Sequence, residues 1–238
     1  TRCRFGEPMV DIATNVLKVL ERISESAQRC GRRPDEIKLL AASKTQGVAE
    51  IRAAVAAGIH LFGENYVQEA QVKKESVDDS VEWHMIGHLQ RNKSRVAVGL
   101  FSVIESLGNV GLAKALDKEG RKRGRAARTY VEVNLAGEET KSGVSKEGLV
   151  PLLEEIGQFS YLEVEGLTII PPFREDPEEV RPYFRSLKEL QVSLSRLKIP
   201  HVELRELSMG MTHDYPVAIE EGATIVRVGT AIFGPRKG

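Results

Sequence analysis

Cysteine is scarce in this chain of 238 residues: there are two, Cys3 and Cys30. They make no disulfide framework and stand in no metal-ligand spacing. A reducing, cytoplasmic compartment is the simplest setting for them. Net charge is also lacking, since 34 Lys and Arg balance 34 Asp and Glu. That argues against a generic nucleic-acid or membrane-surface binder, which carries a basic excess. No apolar run approaches the roughly 20 residues that cross a bilayer. The stretch from Thr1 to Pro8 has no apolar signal-peptide core. The chain opens on threonine rather than methionine, as at a processed or trimmed end. No Gly/Ser/Pro-rich linker, low-complexity tract or charge boundary divides the sequence, so a single domain is expected after a short tail: 1–8 as tail, 9–236 as the folded unit.

What is present is a rhythm. Apolar runs of strand length fall at 37–43, 59–63, 82–87, 101–106, 129–135, 162–170, 204–209 and 224–228. Segments of helical period separate them, near 48–58, 65–76, 90–97, 109–123, 145–158, 177–198 and 214–221, and one more helix at about 9–30 precedes the first strand. Strand–helix alternation implies parallel pairing, because parallel neighbours need a crossover. Eight such units in a chain of this length predict a single (β/α)8 TIM-type barrel with an extra N-terminal helix. Its site then lies at the C-terminal ends of the strands. The punctuation agrees. Gly58 and Gly222 each follow a helical run, where a left-handed residue favours glycine. Asp176-Pro177-Glu178-Glu179 has the cap, the first-turn proline and the acidic first turn of a helix. Leu187, Leu190, Leu194 and Leu197 mark one face of that helix.

Lys44 ends the run Leu39-Leu40-Ala41-Ala42-Ser43-Lys44, and a helical pattern follows at Val48. The lip of a buried strand is an unusual place for a full charge. It suits a lysine that condenses with an aldehyde, because burial or a nearby cation lowers the amine pKa from its ordinary value near 10.4. The plain alternative is a packed stem with its head in water. Near the other end, Arg227-Val228-Gly229-Thr230 closes the eighth strand run and enters the loop after it, where barrels often hold phosphate. Gly229 lets backbone approach a phosphate ester, Thr230 adds an N–H and a hydroxyl, and Ser208 at the seventh strand end adds another hydroxyl. Arg227 and Gly229 should point the same way by strand parity. The alternative there is a rim salt bridge and a turn glycine. Asn65, in Phe62-Gly63-Glu64-Asn65-Tyr66, is either a helix N-cap or a polar group in the barrel mouth. His84 and His88 share strand parity, but at about 3.3 Å per residue they lie roughly 13 Å apart and chelate no single ion. No metal is expected. Arg121-Lys122-Arg123-Gly124-Arg125 reads as a solvated helix end, and Trp83 as core.

Taken in order, Lys44-Thr45, Phe62-Gly63-Glu64-Asn65-Tyr66-Val67-Gln68-Glu69, Trp83-His84-Met85-Ile86-Gly87-His88-Leu89-Gln90-Arg91-Asn92-Lys93, Leu207-Ser208-Met209-Gly210-Met211 and Val226-Arg227-Val228-Gly229-Thr230-Ala231-Ile232-Phe233-Gly234 closely resemble the pyridoxal phosphate homeostasis protein family, over about residues 10 to 236. The resemblance implies a barrel like the N-terminal domain of alanine racemase and pyridoxal 5′-phosphate (PLP) held as a Schiff base on Lys44. It implies a phosphate held by Ser208, Gly229 and Thr230, Arg227 facing the pyridine nitrogen, and Asn65 close by. It also implies a non-catalytic role in vitamin B6 balance and amino-acid metabolism, with apo forms of PLP enzymes as recipients. Three positions depart from the usual pattern: Thr168 for methionine, Thr212 for serine and Met85 for phenylalanine.

The competing reading is a PLP-dependent amino-acid racemase of low activity. Arginine at the pyridine nitrogen disfavours the protonated ring that full electron-sink chemistry uses, although alanine racemase carries one too. A two-base racemase needs a proton acceptor on each face. With the barrel ending near Gly238, the second domain that supplies that group in the racemase is not expected, and a monomeric carrier is. A Schiff-base aldolase without PLP is the third possibility, and the phosphate loop speaks against it.

Overall fold

The computed structural model describes residues 10–77, 80–137 and 142–235. The expected tail therefore lies outside the described residues, as does Arg236. Asp11 starts the first helix: its carboxylate accepts the Thr14 N–H at 3.0 Å, which caps α1 (Ile12–Arg29). Ile12, Val16, Val19, Ile23 and Ala27 recur at helical spacing and are buried, so this one face seats α1 on the body of the protein.

After α1 come β1 (Lys38–Ala42), α2 (Val48–Ala56), β2 (Leu61–Glu64), α3 (Val67–Lys74), β3 (Glu82–Met85), α4 (Ser94–Leu100), β4 (Val103–Leu107), α5 (Val110–Arg123) and β5 (Ala127–Asn134). The second half holds β6 (Val144–Ser145), α6 (Lys146–Ile156), β7 (Leu162–Thr168), α7 (Arg181–Ser195), β8 (Val202–Met211), α8 (Tyr215–Glu220), β9 (Ile225–Val228) and α9 (Thr230–Phe233). The pairing order runs β4-β3-β2-β1-β9-β8-β7-β5, and β4 also pairs β5, so the eight strands close on themselves. Every pairing is parallel. The result is the eight-stranded TIM-type barrel that the alternation predicts. β1 lies between β2 and β9, with Ala41 opposite both Phe62 and Val228.

The large apolar core lies between strands and helices. Leu40, Val103, Tyr130 and Ile225 form a second, separate apolar cluster, one of the side-chain layers that fill a barrel of this size. Gly58 and Gly222 take φ of 95° and 100°, as a helix C-terminus asks of them. The Asp176 carboxylate accepts the Glu178 N–H at 2.9 Å.

Several boundaries differ from expectation. β8 is longer at both ends than the run 204–209. The segment 90–97 opens as a single tight turn, Arg91–Lys93, before α4. Leu197 does not share the face of Leu187 and Leu194, because α7 ends at Ser195 and leaves it 50% exposed. β6 pairs only with the end of β5, Val133 to Val144 and Asn134 to Ser145. Two polar-flanked residues carry no period from which to predict a strand.

Candidate cofactor site

A cavity of about 390 Å³ opens at the C-terminal ends of β1, β8 and β9. Lys44 and Gln46 line it from the turn after β1, Thr212 and His213 from the turn after β8, and Arg227, Gly229 and Thr230 from β9 and its end. Phe173, in the segment after β7, completes one side. Four of the six residues singled out from sequence thus share one cavity: Lys44, Arg227, Gly229 and Thr230. Arg227 and Gly229 face the same space, as strand parity requires.

Ser208 and Asn65 do not line the cavity. Ser208 is fully buried, and it lies opposite Ile225, two positions before Arg227 on β9. Its hydroxyl accepts from Arg227 Nη1 at 2.7 Å and donates to Glu105 Oε2 at 2.6 Å. Asn65 is no helix cap either: Tyr66 holds that position in extended conformation, and no side chain caps α3. The Asn65 backbone packs over Gly87 so closely that a Cβ at Gly87 would stand 2.4 Å from its carbonyl oxygen.

Lys44 sits in a turn closed by the Gln46 N–H donating to the Ser43 carbonyl at 3.0 Å. The next residue, Thr45, has φ of 66°, a conformation that β-branched residues rarely adopt. Strain of this kind costs on the order of 1–3 kcal/mol and persists where surroundings over-determine it. At Gly229, a Cβ would stand 3.2 Å from the Ala42 carbonyl oxygen, so a side chain there would crowd the end of β1. The Thr212 hydroxyl accepts the Ala231 N–H at 3.4 Å and ties the turn after β8 to the start of α9. Thr212 stood out in the sequence only as a departure; continuing the parity of 208 and 210 points to it.

Arg227 is the charge at the cavity floor. Nη1 donates to Thr168 Oγ1 at 2.9 Å and to the Ser208 carbonyl at 2.5 Å, and Nη2 donates to the Ile169 carbonyl at 2.8 Å. Burial pulls its pKa below the ordinary arginine value, and the nearby carboxylates of Glu105, Asp214 and Glu132 act against that pull. Glu105 is the nearest ionic partner, with Oε2 3.8 Å from Nη1. Its other oxygen meets His84 Nδ1 at 2.7 Å, and His84 Nε2 faces Glu82 at 3.5 Å. Burial works to discharge His84, but its hydrogen bonds to Glu105 and Glu82 outweigh that and hold its pKa above the usual value. Burial also works to protonate Glu105, and His84 and Arg227 hold its carboxyl below the usual range. The sequence offered no sign of this pair, because it forms across two strands whose register is not legible in the chain.

The donor set fits PLP. An amine that can condense with an aldehyde, a cation, and a glycine–threonine turn with a second threonine hydroxyl nearby all line one cavity of suitable size. Among the described residues no group of three or more His, Cys, Asp or Glu is placed to hold an ion. Likewise, no helix among them is long and apolar enough to cross a membrane.

Fold and cavity together define the barrel class of the alanine racemase N-terminal domain, and the family model of that description matches residues 18–237. The pyridoxal phosphate homeostasis protein of Aquifex aeolicus is 47% identical over 221 residues, covering 92% of this chain and 96% of that relative. Its namesake in Pseudomonas aeruginosa is 40% identical over 229 residues, covering 96% and 97%. The chain belongs to the pyridoxal phosphate homeostasis protein family. Among solved structures, PipY of Synechococcus elongatus with PLP bound superposes with a TM-score of 0.83 at 34% identity, over 94% of this chain and 100% of that one. Alanine racemase from Corynebacterium glutamicum shares the fold, with a TM-score of 0.72 at 16% identity over 96% of this chain and 63% of its own.

Proposed function

We propose that this protein binds PLP without turning over a substrate, and buffers it or delivers it to apo PLP enzymes in the cytoplasm, as a monomeric carrier spanning residues 9–236. One observation carries the reading: Lys44 lines the same cavity as Arg227, Gly229 and Thr230, at the ends of the adjacent strands β1 and β9. The chemistry that PLP supplies is an aldehyde that condenses reversibly with an amine, so a carrier can hold it firmly and still release it. Lys44 provides that amine. Gly229, Thr230 and Thr212 provide the N–H and hydroxyl groups for a phosphate dianion, where each charge-assisted hydrogen bond contributes about 1.5–3 kcal/mol. Arg227 presents a fixed cation to the ring end. Ser208 acts from beneath, holding Arg227, and Asn65 stands beside the site at the end of β2. The family names and the PLP-bound PipY structure support this reading.

Borohydride trapping tests it. Purified protein should absorb near 420 nm, roughly, from the cofactor's own chemistry. Borohydride should fix the cofactor to the peptide containing Lys44. Lys44→Ala should abolish both signals, and their persistence refutes the assignment.

A low-activity racemase is the second reading, and one observation favours it: His213, a titratable side chain, lines the cavity with Lys44. Against it, His213 Nε2 lies 2.8 Å from the Glu175 carbonyl. A carbonyl only accepts, so that nitrogen carries the proton and is engaged. D-isomer formation from common L-amino acids decides: turnover above about one per second, lost in His213→Ala, overturns the carrier reading.

A further inference from the structure

Three side chains grip the turn that carries Lys44, and two of them come from α3. Glu64, the last residue of β2, is fully buried. Lys73, on α3, is buried beside it, with Nζ 2.6 Å from Glu64 Oε1. Both reach the residue before Lys44. Lys73 Nζ donates to the Ser43 carbonyl at 2.9 Å, and the Ser43 hydroxyl donates to Glu64 Oε1 at 2.6 Å. The residue after Lys44 is held as well: the Thr45 N–H donates to Glu69 Oε2 at 3.3 Å, and Glu69 also faces Lys73 Nζ at 3.5 Å. The Ser43 carbonyl thus takes both the turn-closing Gln46 N–H and the Lys73 ammonium.

A buried ion pair is weak support for stability, since apolar residues of similar size often do as well. Burial pushes the Glu64 carboxyl above its usual range, against the pull of Lys73 and Ser43. Its second oxygen is buried with no hydrogen-bond partner among the described residues. An arrangement this costly calls for a task, and its contacts converge on one short segment. Thr45 adds a need, since its left-handed backbone must be held in place from outside.

We propose that Lys73, Glu64 and Glu69 are positioning residues: α3 clamps the turn Ser43–Gln46 so that the Lys44 amine stands in line with the aldehyde carbon of a bound cofactor. The inference rests on Lys44 being the lysine that condenses. In that step the Nζ lone pair would form the bond to the aldehyde carbon, the two N–H protons of the neutral amine would leave with the carbonyl oxygen as water, and a C=N bond would remain. Nothing is oxidised or reduced. None of the three lines the cavity, so loosening the clamp should slow condensation and spare recognition of the phosphate and ring.

The test separates these two. Apo-protein is mixed with PLP and the appearance of visible absorbance is timed. Affinity for pyridoxine 5′-phosphate, which has the same ring and phosphate but no aldehyde, is measured by titration. In Lys73→Met with Glu64→Gln, condensation should slow about tenfold or more, the scale of a small misplacement, with pyridoxine phosphate affinity unchanged. Unchanged condensation overturns the clamp, and so does a parallel loss of both ligands. Should that pair fail to fold, the partly exposed Glu69 carries the test. Glu69→Ala should slow condensation and Glu69→Gln, which keeps an acceptor for Thr45, should restore it; equal rates in Glu69→Ala and the parent overturn the proposal. Borohydride labelling of the parent at Lys44 is checked first. Its absence sinks the carrier reading, whereas labelling with unaffected variants sinks only the clamp.

Discussion

Two arginines in this barrel meet carboxylates in opposite ways. Arg181, at the start of α7, takes three partners directly: Nε to Glu178 at 2.6 Å, Nη2 to Glu220 at 2.7 Å and Nη1 to Glu221 at 2.9 Å. Arg29 and Arg185 share the same glutamates. Arg227, on β9, has Glu105 as its nearest carboxylate, at 3.8 Å, with Asp214 and Glu132 acting from farther off, and spends its hydrogen bonds on neutral oxygens of Thr168, Ser208 and Ile169. Outside, charges are redundant and water screens what is left. Inside, one carboxylate, Glu105, stands between His84 and Arg227, and His84 also faces Glu82. In the outer cluster Glu220 and Glu221 each keep a second arginine when Arg181 is lost, whereas among the described residues no second carboxylate lies within ion-pair distance of Arg227. A directly paired arginine would also have fewer donors to hold it at the cavity floor.

Removing the inner carboxylate should cost the most. Glu105→Ala takes from Arg227 its nearest carboxylate and leaves His84 with Glu82 at 3.5 Å, and a loss of about 3–5 kcal/mol is expected, as when one partner of a buried pair is deleted. Urea unfolding measures it, and a loss below about 1 kcal/mol, the level of surface pairs, erases the contrast between the two sites. Replacing His84 and Glu105 together by apolar residues should cost less than Glu105→Ala alone.

A smaller effect should follow pH. Because the folded-state pKa of His84 is raised, its protonated form is stabilised by folding. That contribution is complete below the unfolded value of about 6.5 and is lost as pH rises through the higher folded value. This contribution to the parent's stability should therefore decline as pH rises above about 6.5. His84→Gln should flatten that decline; an identical slope in both proteins shows that His84 does not titrate there.

The smallest effect belongs to the outside. Arg181→Ala leaves Glu220 with Arg29 and Glu221 with Arg185, and should cost about 1 kcal/mol or less. Molar salt, with a Debye length near 3 Å, should remove most of that difference. A salt-insensitive loss as large as that of Glu105→Ala would make the two clusters equivalent.

Sequence carried direction well and depth poorly. Period placed the eight barrel strands within a few residues, and parity put Arg227 beside Gly229. The lip position of Lys44 was legible because a charge interrupts an apolar run. Ser208 shows the limit. Its parity is right, but the pairing of β8 with β9 shifts between Ser208–Ile225 and Met211–Arg227, three residues against two. Ser208 is buried against Arg227 there, while Thr212 lines the cavity. The cap alternative for Asn65 fails by one residue, since Tyr66 holds that position and is still extended. His84 and Glu105 were illegible as partners, because cross-strand neighbours depend on register between segments 21 residues apart. Lys73 gave no sign either: a lysine on a helix of low amphipathicity looks like surface until the helix is docked.

The pairing of β1 with β9 also has a temporal meaning. Lys44 follows the first strand of the barrel and Gly229 the last, and these two strands are hydrogen-bonded neighbours. Contacts of such long sequence separation close late, after loop entropy has been overcome. A nascent chain therefore has no working pocket until its final strand leaves the ribosome and meets its first. Once closed, a ligand spanning that seam acts as a clasp. At a free concentration one hundred times its dissociation constant it adds about 2.7 kcal/mol against reopening. Occupancy by the cargo would thus be written into the lifetime of the folded carrier.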